Sequence, residues 1–131
     1  MIISDKKSED KAKQYSPLTL AYLGDAVYEL YVREKIVSDA NMPKNKLHNI
    51  AVQKVKAGFQ AHIADKIEPQ LSEKELEIFK RGRNATTTKV PKGSNRAEYH
   101  KATGLETLIG YLYISGNDKR ISEIMECVFE E

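Results

Sequence analysis

Residues 18–37, LTLAYLGDAVYELYVREKIV, decide how the rest of the chain is read. The stretch has no proline and a single glycine, Gly24, and its apolar residues recur at helical spacing, so it is expected to be a helix. Ser16-Pro17 stands at its start, a hydroxyl N-cap followed by proline at the first helical position. On a wheel of about 100° per residue, Leu20, Leu23, Val27, Leu30 and Tyr31 cover one side, and Leu18, Ala21, Tyr22, Val32 and Ile36 cover much of the other. A helix apolar almost all round is buried on most faces. Asp25 and Glu29 nevertheless fall on the second stripe, one turn apart. Like charges at that spacing repel, and a buried carboxylate needs a cation from the fold, a metal ion or a partner subunit.

Outward from this helix the chain continues in the same style. Beyond Met42-Pro43 a second helix is expected over about Lys44–Ile67, with Leu47, Ile50, Ala51, Val55 and Ala61 inward. Asn49, Gln53, Lys56 and Gln60 then form its solvent face. Ser72, with Glu75 three residues on, makes a capping box for a short helix over Glu73–Arg81, and Gly82 reads as its stop. Asn84–Asn95 holds Thr86-Thr87-Thr88, Pro91 and Gly93 and reads as an irregular loop. Further helices are expected over Ala97–Ile114 and from Lys119 or Arg120 to Phe129, divided by Ser115-Gly116-Asn117. There is no internal repeat and no alternating strand pattern, so the fold class is all-α. Polar, unpatterned residues 1–14 read as a flexible tail, and 15–131 as one domain.

Composition excludes several classes. With 131 residues, 40% hydrophobic and 31% charged, the chain is long enough for one core and too apolar for disorder. No run approaches the ~20 apolar residues of a membrane span, and Met1–Gln14 lacks the apolar segment of a secretory signal. The single cysteine, Cys127, has no disulfide partner and no metal-ligand spacing. A cytoplasmic, reducing setting without membrane association is expected. The net charge of +2 decides nothing, but its distribution does more. Arg81, Arg83, Lys89, Lys92, Arg96 and Lys101 face one acid, Glu98, within residues 81–101. Such a segment is either a solvated loop or the electrostatic footprint of a polyanion.

A second acidic anomaly lies in the helix after that loop. Ala102, Leu105, Leu108, Ile109 and Leu112 form its core stripe, with Glu106 at the edge and small Thr103 and Gly110 one turn away. An acid with small neighbours leaves room for a hydrated Mg²⁺, which takes one or two carboxylates and keeps several waters. Spacing alone does not connect Asp25 with Glu106. His48, His62 and His100 read as structural or surface residues.

Two motifs join these observations. Tyr22-Leu23-Gly24-Asp25-Ala26-Val27-Tyr28-Glu29-Leu30 resembles the LGDAVxEL signature of the ribonuclease III family. Leu105-Glu106-Thr107-Leu108-Ile109-Gly110-Tyr111-Leu112-Tyr113 resembles that family's second acidic motif, FEALIGxLY, in the right order. The resemblance runs from about Tyr15 to the last residue. The minimal layout, with Arg81-Gly82-Arg83-Asn84 and Val90-Pro91-Lys92 in the loop and no double-stranded-RNA-binding domain, is similar to the Mini-ribonuclease III subgroup. It implies a homodimeric, all-α, ribonuclease III-like endonuclease that cleaves double-stranded RNA and matures the termini of large-subunit (23S) ribosomal RNA precursors. It further implies Asp25 and Glu106 as catalytic residues and ligands of Mg²⁺, with Mn²⁺ able to substitute, and a ribosomal protein or the pre-ribosomal subunit as a further partner. Two family acids are missing: Ala21 and Thr103 stand in their places. The basic segment is suited to hold the duplex, with Arg81, Arg83, Asn84, Lys89, Lys92 and Lys101 as its RNA contacts. The rival readings are a catalytically silent relative that binds structured RNA or ribosomes, and a small helical adaptor whose basic loop is merely solvated.

Overall fold

The computed structural model describes residues 6–85 and 90–131. Among them are seven α-helices and no strand: α1 (Glu9–Lys13), α2 (Pro17–Asp39), α3 (Lys44–Val55), α4 (Ala57–Ile67), α5 (Glu73–Arg83), α6 (Arg96–Ile114) and α7 (Asp118–Phe129), with a 3-10 turn at Glu68–Gln70. The local signals act as expected at most starts. Ser16 Oγ accepts the amide of Thr19 at 3.2 Å, and Pro17 opens α2. Ser72 and Glu75 exchange both capping-box bonds, at 3.2 and 2.9 Å, at the start of α5.

Helix α6 is the axis of the fold, with α2, α4 and α5 packed around it. Every residue from Ala102 to Leu112 is buried except Glu106, which is half-buried. What lets three helices approach one is small size. A Cβ on Gly24 would overlap the carbonyl oxygen of Glu106, and one on Gly110 would overlap the carbonyl oxygen of Leu20, so α2 and α6 meet backbone to backbone. Gly82, expected to stop α5, lies inside it, because the Thr107 side chain fills the space a Cβ would need.

Three other expectations change. Residues 1–5 lie outside the described part, but the rest of the polar N-terminal segment is docked rather than frayed. Ala12 of α1 is buried, Lys7 N donates to Ile114 O at 2.8 Å, and Lys6 Nζ donates to Tyr113 O at 2.6 Å. The segment is held by hydrogen bonds more than by an apolar stripe, so periodicity carried no sign of it. The long second helix is two helices, broken where Lys56 takes an extended backbone (φ −71°, ψ 151°). That break resets the helical face: Ile50 becomes 40% exposed, while Gln60 turns inward to 3%. Finally, α2 is not buried on most faces of this single chain, since Leu18, Tyr22, Leu30 and Val37 are exposed.

Candidate active site

The crossing of α2 and α6 is what makes a site. Gly24 and Gly110 set the closest approach, and each motif carries its acid beside that point: Asp25 follows Gly24, and Glu106 lies one turn before Gly110. Two carboxyl groups 81 positions apart in the chain are thereby brought within hydrogen-bonding reach of each other. Asp25 is exposed and Glu106 half-buried, and both line a cavity of about 220 Å³ walled by Leu18, Ala21, Tyr99 and Thr103. Glu29, the other acid of the first motif, does not join them, because it pairs with Arg33 at 2.7 Å.

Electrostatics mark the pair. Burial, then the charge and hydrogen bond of Asp25, push the Glu106 carboxyl up to about 8, while Gln60 draws it slightly back. At neutral pH Glu106 therefore keeps its proton, since a half-buried carboxyl beside another acid does not ionise without compensation. A divalent cation can take that proton's place. The donor set fits a hard ion that keeps most of its water, because it offers two carboxylates beside open space. Among the described residues no group of three or more His, Cys, Asp or Glu stands ready to hold a metal. That agrees with the absence of acids at Ala21 and Thr103. The Thr103 hydroxyl donates to the Tyr99 carbonyl at 3.0 Å, bonding its own helix.

A family model described as the Ribonuclease III domain matches residues 18–117. The chain belongs to the ribonuclease III family. It is 42% identical over 127 residues to the Mini-ribonuclease 3 of Clostridium tetani, covering 96% of this chain and 84% of that one. To the Mini-ribonuclease 3 of a Thermoanaerobacter species it is 49% identical over 111 residues, covering 85% and 78%. The crystal structure of a Fusobacterium nucleatum protein superposes with a TM-score of 0.83 at 32% identity, covering 95% of this chain and 98% of that one. The all-α ribonuclease III-like fold is thus shown, and the chain is an endoribonuclease of the ribonuclease III type, a family that acts on double-stranded RNA.

The candidate RNA contacts of this ribonuclease III-type chain fall into three groups. Arg83 and Asn84 lie at the end of α5, with Arg83 Nε donating to Asn84 Oδ1 at 3.3 Å, and Lys92 is exposed in the following loop. Arg81 and Lys101 already have partners. Arg81 donates to the carbonyls of Lys13 and Tyr15 at 2.8 and 3.3 Å, and Lys101 pairs with Asp65 at 2.8 Å. Lys89 lies outside the described residues, as do Thr86, Thr87 and Thr88. No histidine lines the cavity; His62 meets Glu131 at 2.5 Å instead.

One residue at the site was hidden from sequence reasoning. Gln60, assigned to a solvent face, is buried and borders Glu106. Its Nε2 is close enough to favour the Glu106 carboxylate yet makes no full hydrogen bond to any group of the protein. An unpaired buried amide costs roughly 1–3 kcal/mol. Tyr28, also fully buried near Glu106, donates its hydroxyl to the Lys54 carbonyl at 2.5 Å. Burial and the Glu106 charge raise that phenol further above its ordinary value, so it stays neutral and serves as a strut between α2 and α3.

Proposed function

We propose that this endoribonuclease is dependent on a divalent metal, with Asp25 and Glu106 as its catalytic ligands, and works as a homodimer in the maturation of large-subunit (23S) ribosomal RNA precursors in the cytoplasm. The observation that carries the proposal is the contact between the Asp25 and Glu106 carboxyl groups at the glycine crossing, open to solvent through one cavity. A bound Mg²⁺, or Mn²⁺ in its place, supplies charge neutralisation at the scissile phosphate and acidifies water. The chain's own residues do the rest. Asp25, on the exposed side, offers its oxygens toward an approaching strand, while half-buried Glu106 is fixed by the packing of α6. With two acids in place of four, Asp25 and Glu106 alone would hold the ion weakly in the free chain, and tighter metal binding is expected once RNA adds its own oxygens. Arg83, Asn84 and Lys92, with Lys89 in the same segment, hold phosphates and hydroxyls of the duplex, which is read by shape more than by sequence.

The homodimer rests on α2. Leu18, Tyr22, Leu30 and Val37 are 44%, 85%, 55% and 60% exposed on one helix, a concentration that calls for a cover. A two-fold axis through α2 buries them and sets two acid pairs along one duplex, one for each strand. The ribosomal precursor is the substrate implied by the similarity to Mini-ribonuclease 3 chains, and a ribosomal protein or the pre-ribosomal subunit would present it.

The deciding experiment is cleavage of end-labelled duplex RNA with Mg²⁺. The parent chain is expected to cut both strands, and Asp25→Asn and Glu106→Gln to lose on the order of 10³-fold in rate with RNA retention kept. Retention without cutting by the parent chain would refute the catalytic assignment of the pair. Metal titration with and without RNA should show tighter binding in the complex.

A further inference from the structure

The break between α3 and α4 has a consequence at the acid pair. Had residues 44–67 formed one helix, Gln60 would share the outer face with Gln53 and Lys56, both of which are exposed. The extended Lys56 instead rotates α4 so that Gln60 lies 3% exposed, buried with Ala61, Ile63 and Ala64 in the helix that packs on α6, within hydrogen-bonding reach of Glu106. A leucine has nearly the same volume and would pack there without a polar atom to satisfy. The glutamine keeps a fully buried amide nitrogen for which the protein provides no complete partner. Buried donors without partners are rare, and one next to a catalytic acid calls for a role there.

We propose that Gln60 is a positioning residue for the reaction, whose amide N–H donors hold the Glu106 carboxylate in the orientation that lets it share a divalent cation with Asp25. In an active site of two acids rather than four, each remaining carboxylate depends more on what fixes it. Carboxylates that ligate metals are themselves held by hydrogen bonds, and removal of such an outer partner weakens metal binding or activity about 10–100-fold. Gln60 supplies from α4 the support that α2 and α6 do not, because Thr103 is turned to its own backbone and Ala21 has no polar atom. The inference rests on the reading of Asp25 and Glu106 as the metal site, and the test below separates the two.

The test is a Mn²⁺ titration of the free, full chain followed by the spin-resonance signal of the unbound ion, with thermal unfolding and duplex-cleavage kinetics on the same proteins. Gln60→Leu is expected to melt no lower than the parent, since it removes an unpaired amide, yet to bind Mn²⁺ about tenfold more weakly and to lose kcat with KM for RNA unchanged. Gln60→Met, which keeps the length and lacks the donor, should behave alike. Mn²⁺ affinity and kcat within twofold of the parent in both variants overturns the inference, as does failure of both to fold, which would make the amide structural. Asp25→Asn is the reference for the site itself. If it removes Mn²⁺ binding while Gln60→Leu does not, only the role of Gln60 falls; if Mn²⁺ binds the parent and Asp25→Asn equally, or binds neither even with duplex RNA present, the metal-site reading falls and takes Gln60 with it.

Discussion

Helices α2 and α6 each carry one acid of the proposed metal site, and they reverse what hydropathy says of them. Helix α2 is apolar on both of its stripes, yet four of its large apolar side chains are exposed. Helix α6 mixes threonine, glycine and glutamate into its apolar residues, yet from Ala102 to Leu112 every residue but Glu106 is buried. The difference shows that the centre of this fold is chosen by size as well as by hydrophobicity. Gly104, Thr107 and Gly110 are thin enough for neighbouring backbones to lie against them, whereas the bulk of Leu18, Tyr22 and Leu30 keeps α2 at the edge. The sharpest way to break the comparison is Gly24→Ala. One methyl there meets backbone that has no freedom to turn aside, so the two helices must part. A loss of more than about 3 kcal/mol in chemical denaturation is expected, together with separation of the two acids. Gly58→Ala is the counterpart, since the nearest atoms to its new methyl are those of the Glu98 carboxylate, at an ordinary 3.5 Å or more; it should be neutral or slightly stabilising in a helix.

The next effect is electrostatic and also depends on α6. Glu106 holds its proton to about 8 in the folded chain, against 4.5 for an unperturbed group. Below 4.5 folded and unfolded chains are both protonated there and the group contributes nothing. Between the two values only the folded chain keeps the proton, so stability in the absence of divalent metal falls as pH rises through that window and levels off above it. The decline should be about 2–3 kcal/mol, less than the full shift would give because solvent reaches and screens the half-buried group. Glu106→Gln should flatten it and unfold later than the parent at pH 8. A parent stability that rose from pH 5 to 8 in chelator would contradict the buried, coupled state of the pair. Added Mn²⁺ should bring stability back most strongly at the alkaline end, where no proton competes.

Much of this was legible in the residues. Ser16-Pro17 and the Ser72–Glu75 box start helices where they were expected to, and the two acidic motifs singled out Asp25 and Glu106, the acids that meet at the helix crossing. The contact between Asp25 and Glu106 was not readable from spacing, because it depends on a crossing set by two glycines on different helices. Gln60 was misassigned for a specific reason. One extended residue, Lys56, shifts the helical phase, and nothing in Val55-Lys56-Ala57 is a breaker by type. Arg81 was counted with the loop cations because a side chain that binds carbonyls of a docked N-terminal segment has the same sequence appearance as one that binds phosphate.

The exposed stripe of α2 gives a prediction of intermediate size. Tyr22 lies one turn before Asp25 and is 85% exposed, so whatever covers it also borders the acid pair. Tyr22→Lys should leave the helical content of the chain unchanged and weaken self-association about 10–100-fold, seen as a shift from dimer to monomer in sedimentation. Cleavage should fall with dimerisation and recover at higher protein concentration. A variant that stays dimeric would place the interface elsewhere and leave the apolar surplus of α2 without a cover.

The smallest effect probes why α6 tolerates polar residues at its centre. Thr107 is fully buried, and its Oγ1 lies 2.7 Å from the Thr103 carbonyl and 3.1 Å from the Pro17 carbonyl. Its single hydroxyl hydrogen is therefore shared between its own helix and the first turn of α2. The same side chain occupies the space beside Gly82 on α5. Thr107→Val keeps that shape and removes only the donor, so it should cost about 1 kcal/mol, the net worth of one buried hydrogen bond. Thr107→Ser keeps the donor and removes the methyl, and a similar loss is expected from the packing against Gly82. If the valine variant were as stable as the parent while the serine variant was not, shape alone would account for threonine at the centre of α6. Equal losses in both would mean that the helix is held to α2 by its hydroxyl and to α5 by its methyl, one residue doing for two neighbours what glycine does for the crossing.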